Sequence, residues 1–413
     1  MMKAMGMAAK QAAKKLALLG TGEKNALLDA ISANLLARTP EILEANANDR
    51  KNAEEAGLSP ALIDRLLLNE GRIASMVEGL KTVRDLEDPV GIVKEMRTLP
   101  NGLQVGKKSV PLGVVGIIYE SRPNVTIDTA ALCLKSGNAL ILRGGKEAIF
   151  SNKILVSIVQ DSLEALGYDR TFVQLIEDLS YETAGEFMRL HEYVDVLIPR
   201  GSAKLISRVV REATVPVIET GVGNCHVYVD DSADFDMALS IILNAKTQRT
   251  GVCNAMESLL VHGAVAESFL PLLESALTAH GVTVYADEEA RAIVPVFEAA
   301  TEEDYATEYL DLKMSLKVVK DLPEAMAHIE RYGTGHSEAI LTANYAHAMT
   351  FLQEVDAAAV YVNASTRFTD GSELGMGMEM GISTQKLHAR GPVGLKELTT
   401  SKYIIFGSGQ IRK

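Results

Sequence analysis

The chain carries three cysteines, and their neighbours separate them as nucleophile candidates. Cys253 lies in Thr247-Gln248-Arg249-Thr250-Gly251-Val252-Cys253-Asn254-Ala255, between a helical stretch at 235–246 and a strand-like run at 259–262. Small neighbours and a glycine leave the thiol reachable, and exposed backbone N–H groups in such a connection lower a thiol's pKa. The competing reading is a small buried apolar residue, the commonest fate of cysteine. Cys133 takes that reading, because Ala130-Ala131-Leu132-Cys133-Leu134 is an apolar helix face. Cys225, in Gly223-Asn224-Cys225-His226, fits either, since an adjacent His points away as often as it activates. No pair has C-x-x-C spacing, so no metal site and no dithiol redox motif is expected. So few cysteines, in an odd number, fit a reducing compartment, the cytoplasm.

Other segments carry polar groups suited to binding. Glu120-Ser121-Arg122-Pro123-Asn124-Val125-Thr126 directly follows an apolar run at Val114–Tyr119. Loops at the carboxyl ends of parallel strands form binding crevices, and an Asn amide there can donate to a developing oxyanion. The plainer reading of Asn124 is a turn former after proline. Arg143-Gly144-Gly145-Lys146 sets two glycines between cations, which suits close approach of an anionic ligand. Pro199-Arg200-Gly201-Ser202-Ala203-Lys204 opens a helix after a strand, and such an N-terminus welcomes phosphate. Capping by Ser202 competes with that view. Glu219 places a carboxylate at another strand end. Near the C-terminus, Gly375, Gly377 and Gly381 alternate with Met376, Met378 and Met380, the pattern of a mobile flap. Arg367, Lys386 and Arg390 are candidates to meet an acidic substrate, or plain surface charges.

The elements that must position these residues follow from periodicity. Residues 3–86 read as successive amphipathic helices, the first of them too polar for a signal peptide. Runs at 92–99 and 103–110 flank Asn101-Gly102, a strong hairpin signal. The hairpin is too polar to have a core of its own and needs another surface. Apolar runs at Val114–Tyr119, 139–142, 173–176, 194–198 and 215–218 alternate with helical stretches. A second series follows at 227–229, 259–262, 282–284, 316–319, 339–341 and Ala359–Val362, with a last strand at 402–406. This rhythm predicts two α/β domains with parallel-sheet cores.

With 413 residues, two or three domains are expected. A 47% apolar and 23% charged composition is that of a soluble globular chain. Lys and Arg number 41 against 54 Asp and Glu, a formal charge of −13. Such a balance argues against nucleic acid and anionic lipid as partners, and no apolar run is long enough to span a membrane. Neither G-x-G-x-x-G, a P-loop, a zincin motif nor a G-x-S-x-G elbow occurs, so any nucleotide is held by other means than the standard Rossmann turn.

Taken together, three strings resemble the aldehyde dehydrogenase superfamily and, within it, the gamma-glutamyl phosphate reductase family. They are Tyr119-Glu120-Ser121-Arg122-Pro123-Asn124-Val125-Thr126, Gln248-Arg249-Thr250-Gly251-Val252-Cys253-Asn254-Ala255 and the block from Gly381 to Gly394 that contains Gln385-Lys386-Leu387-His388-Ala389-Arg390-Gly391-Pro392. The resemblance implies an aldehyde dehydrogenase-like α/β fold in three parts. These are a nucleotide-binding domain (1–90 and 111–226, with part of 375–397), a catalytic domain (227–374) carrying Cys253, and β-hairpin oligomerisation strands (91–110 and 398–413). It implies NADPH-dependent reduction of L-glutamyl 5-phosphate to L-glutamate 5-semialdehyde, a step of proline biosynthesis, through a thioacyl group on Cys253, with Asn124 in the oxyanion hole. By position Arg143, Lys146, Gly201, Ser202 and Glu308 would hold the cofactor, and Arg122 and Arg390 the substrate. Glu219 falls where relatives keep a water-activating carboxylate, which an acyl-phosphate reductase does not need; a structural or proton-shuttling role remains for it. A homo-oligomer, a stand-alone reductase and glutamate 5-kinase as functional partner are also implied. The rivals are a hydrolytic dehydrogenase using Glu219 as base, and an inactive binding relative.

Overall fold

A computed structural model describes residues 1–412, with the side chains of Pro60 and Ala61 left aside. The chain forms two compact units: one of Met1–Thr220 with Gly375–Gly381 and the residues from Val393 on, the other of Gly221–Leu374 with Ile382–Pro392.

In the first unit, helices Met2–Leu16, Thr21–Ala37, Thr39–Glu55, Pro60–Leu66 and Glu70–Asp85 precede a four-stranded parallel sheet. Its order is Val173–Leu175, Ala139–Arg143, Val114–Tyr119, Val196–Arg200. The central Val-Val-Gly-Ile-Ile-Tyr strand is buried along its whole length, as a strand covered by helices on both faces must be. The expected strand at 215–218 is only a single bridge, Leu197 to Val217. Pro216 has no N–H to extend a ladder, which explains the loss.

The hairpin forms as read. Strands Val93–Thr98 and Gln104–Pro111 join at Gly102, whose φ of 85° suits glycine, and Thr399–Phe406 adds a third antiparallel strand. Val93–Thr98 is exposed throughout, and Tyr403, Ile405 and Phe406 are open to solvent. The Gly–Met segment, expected as a flap, is exposed at Gly375, half-buried from Met376 to Glu379 and anchored at its end. Met380 is buried, its N–H donates to the Val393 carbonyl, and Gly79 leaves space that the Met378 methyl fills.

The second unit holds a seven-stranded parallel sheet. Its order is Glu298–Ala299, Thr283–Ala286, Lys313–Val319, Met256–His262, Cys225–Val229, Ser337–Leu341, Ala359–Val362. Val227, Leu259, Leu316, Phe269 and Leu273 lie in one buried cluster of this unit. Among the described residues no helix is long and apolar enough to cross a membrane.

Candidate active site

In the second unit Cys253 lies in the connection from helix Phe235–Thr247 to strand Met256–His262. That is the amino end of the strand, beside the amino end of its parallel neighbour, where Cys225 pairs with Met256. The connections at 221–224 and 248–255 therefore run side by side. A Cβ on Gly223 would stand 1.5 Å from the Cys253 carbonyl oxygen and 2.4 Å from its carbon, so only glycine fits. The Gly223 N–H donates to Glu308 Oε1 at 2.7 Å, and the Cys225 thiol donates to the Cys253 carbonyl at 3.1 Å. On the other flank, Asn254 Nδ2 donates to the Thr369 carbonyl at 2.9 Å, while Thr366 Oγ1 donates to the Asn254 carbonyl at 2.8 Å.

The ends of the connection are tied by a fully buried ion pair, Lys246 Nζ to Glu257 Oε2 at 2.6 Å. Burial pushes Glu257 up to about 7 and Lys246 down, against their mutual attraction. Removing either partner would leave an unpaired buried charge, which costs about 3–5 kcal/mol.

Exposure now separates the three thiols. Burial pushes Cys133 and Cys225 well up, which keeps them protonated, whereas Cys253 is only half-buried. His226 does not serve Cys225: its Nδ1 sits 3.0 Å from Glu338 Oε2 in a buried pair. A cation beside the Cys253 loop is Arg367, whose Nε donates to Gln248 Oε1 at 3.0 Å. Lost hydration lowers the Arg367 pKa, and the neighbouring Arg249 lowers it further. Arg367 and an ionised Cys253 attract each other, so this cation favours a thiolate. Arg390 is instead bound to Asp356 at 2.7 Å, and Lys386 pairs with the same carboxylate. Asp230, Asp231 and His347 place possible ligand atoms close together, but Asp230 already accepts from Thr342 and pairs with His347.

In the first unit the candidate residues gather at the carboxyl ends of strands. Ser121 has φ 42°, a left-handed conformation that costs a non-glycine residue about 1–3 kcal/mol. Glu147 Oε1 offsets this by accepting from the Ser121 N–H at 2.6 Å and its Oγ at 2.7 Å. The turn thus held carries half-buried Arg122 and lets a helix, Asn124–Lys135, begin at Asn124. Asn124 Nδ2 donates to Asp128 Oδ2 at 2.7 Å.

Arg143 Nη2 donates to the Leu179 carbonyl at 2.9 Å, while its buried Nε has no hydrogen-bond partner. Lys146, in the same connection, is exposed. An orphaned guanidinium N–H and an exposed ammonium beside Gly144 and Gly145 fit a phosphate-bearing cofactor. Ser202 is the cap of helix Ala203–Glu212, as the competing reading had it. Its own N–H donates to Glu120 Oε2 at 2.7 Å, and Gly201 has room only for that carboxylate. A side-chain anion therefore sits where a phosphate was expected.

Sequence reasoning missed Gly223, Glu120, Glu147 and Asp128. Asp128 was within reach, since i to i+4 spacing on a helix puts it on the face of Asn124. The others follow from contacts between distant segments.

The aldehyde dehydrogenase family model matches residues 2–310. A gamma-glutamyl phosphate reductase of Moorella thermoacetica is 60% identical over 408 residues, 99% of this chain and 98% of that protein. One from Clostridium perfringens is 58% identical, covering 98% of each. This chain belongs to the gamma-glutamyl phosphate reductases of the aldehyde dehydrogenase family. The crystal structure of a Thermotoga maritima gamma-glutamyl phosphate reductase superposes with a TM-score of 0.97 at 50% identity, covering 99% of both chains. An acetylating aldehyde dehydrogenase of Geobacillus thermoglucosidasius shares the fold alone, with a TM-score of 0.72 at 18% identity.

Proposed function

We propose that the chain reduces L-glutamyl 5-phosphate to L-glutamate 5-semialdehyde and phosphate, with NADPH as reductant, in proline biosynthesis. The observation that carries this reading is the half-exposed Cys253 on a connection pinned from both sides, in a chain so similar to gamma-glutamyl phosphate reductases over its length. The Cys253 thiolate attacks the acyl carbon, the carbon–phosphate oxygen bond breaks, and a thioester remains. The oxyanion of this step is held by the Asn124 amide and the Cys253 N–H. When bound, the cofactor supplies a hydride to the thioester carbon. Cys253 then leaves as thiolate and the aldehyde is released. A thiol suits both halves, being nucleophilic near neutral pH and forming a thioester that is readily reduced.

Arg143, Lys146, Gly201, Ser202 and Glu308 are the residues proposed to hold the cofactor. The two cations favour a 2′-phosphate, hence NADPH. At Ser202 the pyrophosphate competes with Glu120 for one N–H. Arg122 and Arg390 are proposed for the substrate carboxylate, Arg390 only after release from Asp356. Arg367 and Arg249 are further cations for an acidic substrate. We place the enzyme in the cytoplasm, as a homo-oligomer joined through its exposed three-stranded sheet. Glutamate 5-kinase would supply the acyl phosphate, a labile product that favours a functional partnership.

The test is phosphate-dependent oxidation of glutamate semialdehyde with NADP⁺. Wild type is expected to turn over, and Cys253→Ala to lose activity to background. Turnover that survives the alanine variant rejects the nucleophile, and oxidation without phosphate points to a hydrolytic enzyme.

A further inference from the structure

We propose that Asp128 is a positioning residue: its carboxylate holds the Asn124 amide so that one N–H stays available for the oxyanion. This rests on the role proposed above for Asn124. Asn124 opens the helix Asn124–Lys135, and Asp128 lies one turn on along the same face. The 2.7 Å bond from Asn124 Nδ2 to Asp128 Oδ2 is the only side-chain hydrogen bond of either residue among those described.

A primary amide has two nearly isosteric orientations. One turns N–H donors toward a developing negative charge, and the other turns the carbonyl oxygen toward it. An ionised carboxylate is acceptor-only, so it must face Nδ2. One amide hydrogen is then committed to Asp128 and the second is left over. A protonated Asp128 can donate to Asn124 Oδ1 instead, which admits the wrong orientation.

The surroundings set that ionisation close to neutrality. Burial raises the Asp128 pKa to about 7; the Asn124 bond and the charge of Arg200, at the end of strand Val196–Arg200, act against this, and Glu379 adds to it. The amide is therefore best oriented once pH exceeds about 7, and kcat rises through that region.

The experiment measures kcat and KM for phosphate-dependent oxidation of glutamate semialdehyde across pH. The proteins are wild type, Asn124→Ala, Asp128→Ala, Asp128→Asn and the Asn124→Ala/Asp128→Ala double variant. Loss of an oxyanion donor costs about 10²–10³ in kcat, so losing its orientation is expected to cost about tenfold, with KM little changed. Asp128→Asn keeps the shape but, like protonated Asp128, can donate as well as accept, so it fixes neither amide orientation. It is expected to show at every pH the lowered kcat that wild type shows only below pH 7, and to lack the rise through pH 7. The double variant is expected to be no slower than Asn124→Ala, because Asp128 acts only through that amide.

A tenfold effect that persists in the double variant overturns the proposal. So does a change confined to KM, which would mean that the carboxylate holds the substrate's ammonium, and so does an unchanged pH limb in Asp128→Asn. Wild type without phosphate-dependent turnover would sink the functional reading and this inference with it. A fully active Asn124→Ala would sink only the role of Asn124 and its positioning.

Discussion

The two units stack helices on parallel sheets, yet their polar loops occupy opposite strand ends. In the first, Glu120, Arg143 and Gly201 follow or close strands Val114–Tyr119, Ala139–Arg143 and Val196–Arg200 at their carboxyl ends. In the second, Gly223, Cys253 and Glu308 precede strands Cys225–Val229, Met256–His262 and Lys313–Val319 at their amino ends. Carboxyl ends lead into helix N-termini, whose N–H groups suit anions. Amino ends receive connections from helices, and there one loop packs against another. That arrangement fixes the Cys253 loop, and it requires glycine where two backbones touch.

The sharpest way to break this contrast is Gly223→Ala. Its Cβ cannot share space with the Cys253 carbonyl, so the Cys253 loop must shift. Displacement of about 1 Å is worth about a hundredfold, so kcat is expected to fall at least that far. The Gly223 N–H also holds Glu308, one of the proposed cofactor residues, so cofactor affinity, read by fluorescence titration, is expected to fall as well, though less than kcat. A near-normal kcat would show that the loops need no such contact.

Acid should sharpen the comparison next. Burial holds His328 down at about 3 and His336 at about 4, both in the second unit. Their folded pKa values lie below the unfolded value of about 6.5. The stability they contribute is present above 6.5 and is lost as pH falls toward 4, by about 2 kcal/mol per histidine at pH 5. In the first unit the one histidine, His191, is exposed, and burial raises the carboxyls of Asp49 and Asp128. Raised carboxyls act oppositely, stabilising at low pH, and the second unit has them as well in Glu257, Asp287 and Glu338. The histidine contribution is therefore isolated by His328→Phe. Hydrogen exchange at pH 7 and pH 5, corrected for intrinsic rates, is expected to show the variant's second unit losing about 2 kcal/mol less than wild type on acidification. Equal losses in variant and wild type would contradict the assignment.

The smallest expected effect is that of Lys146→Ala. An exposed charge is worth up to about 1 kcal/mol, so NADPH affinity should fall roughly fivefold while NADH affinity holds. An equal loss for both cofactors would move Lys146 away from the 2′-phosphate.

Legibility followed the range of the interactions. Strand runs were readable because a buried parallel strand is continuously apolar, and Val114–Tyr119 is the clearest case. The hairpin was readable because Asn101-Gly102 has a local conformational cause. The run at 215–218 misled because its apolar residues outweighed Pro216. In the Gly–Met segment the glycines signal freedom locally and say nothing of the longer-range tie, the bond from the N–H of buried Met380 to the Val393 carbonyl. At the candidate site, Cys253 stood out by its small neighbours. Gly223 did not, because its partner lies in another connection.

By itself the amino-acid order determined most of the helices and strands and the family, and it singled out Cys253 and Asn124 as candidates for chemistry. These depend on side-chain type and short spacing, which are local properties. Only the tertiary structure decided that Gly223 must be glycine, that Glu147 sustains the Ser121 turn, that Glu120 covers the Ser202 N–H, and that Arg390 is tied to Asp356. Each depends on atoms remote in the chain meeting within a few ångströms, and the packing of whole elements sets that distance.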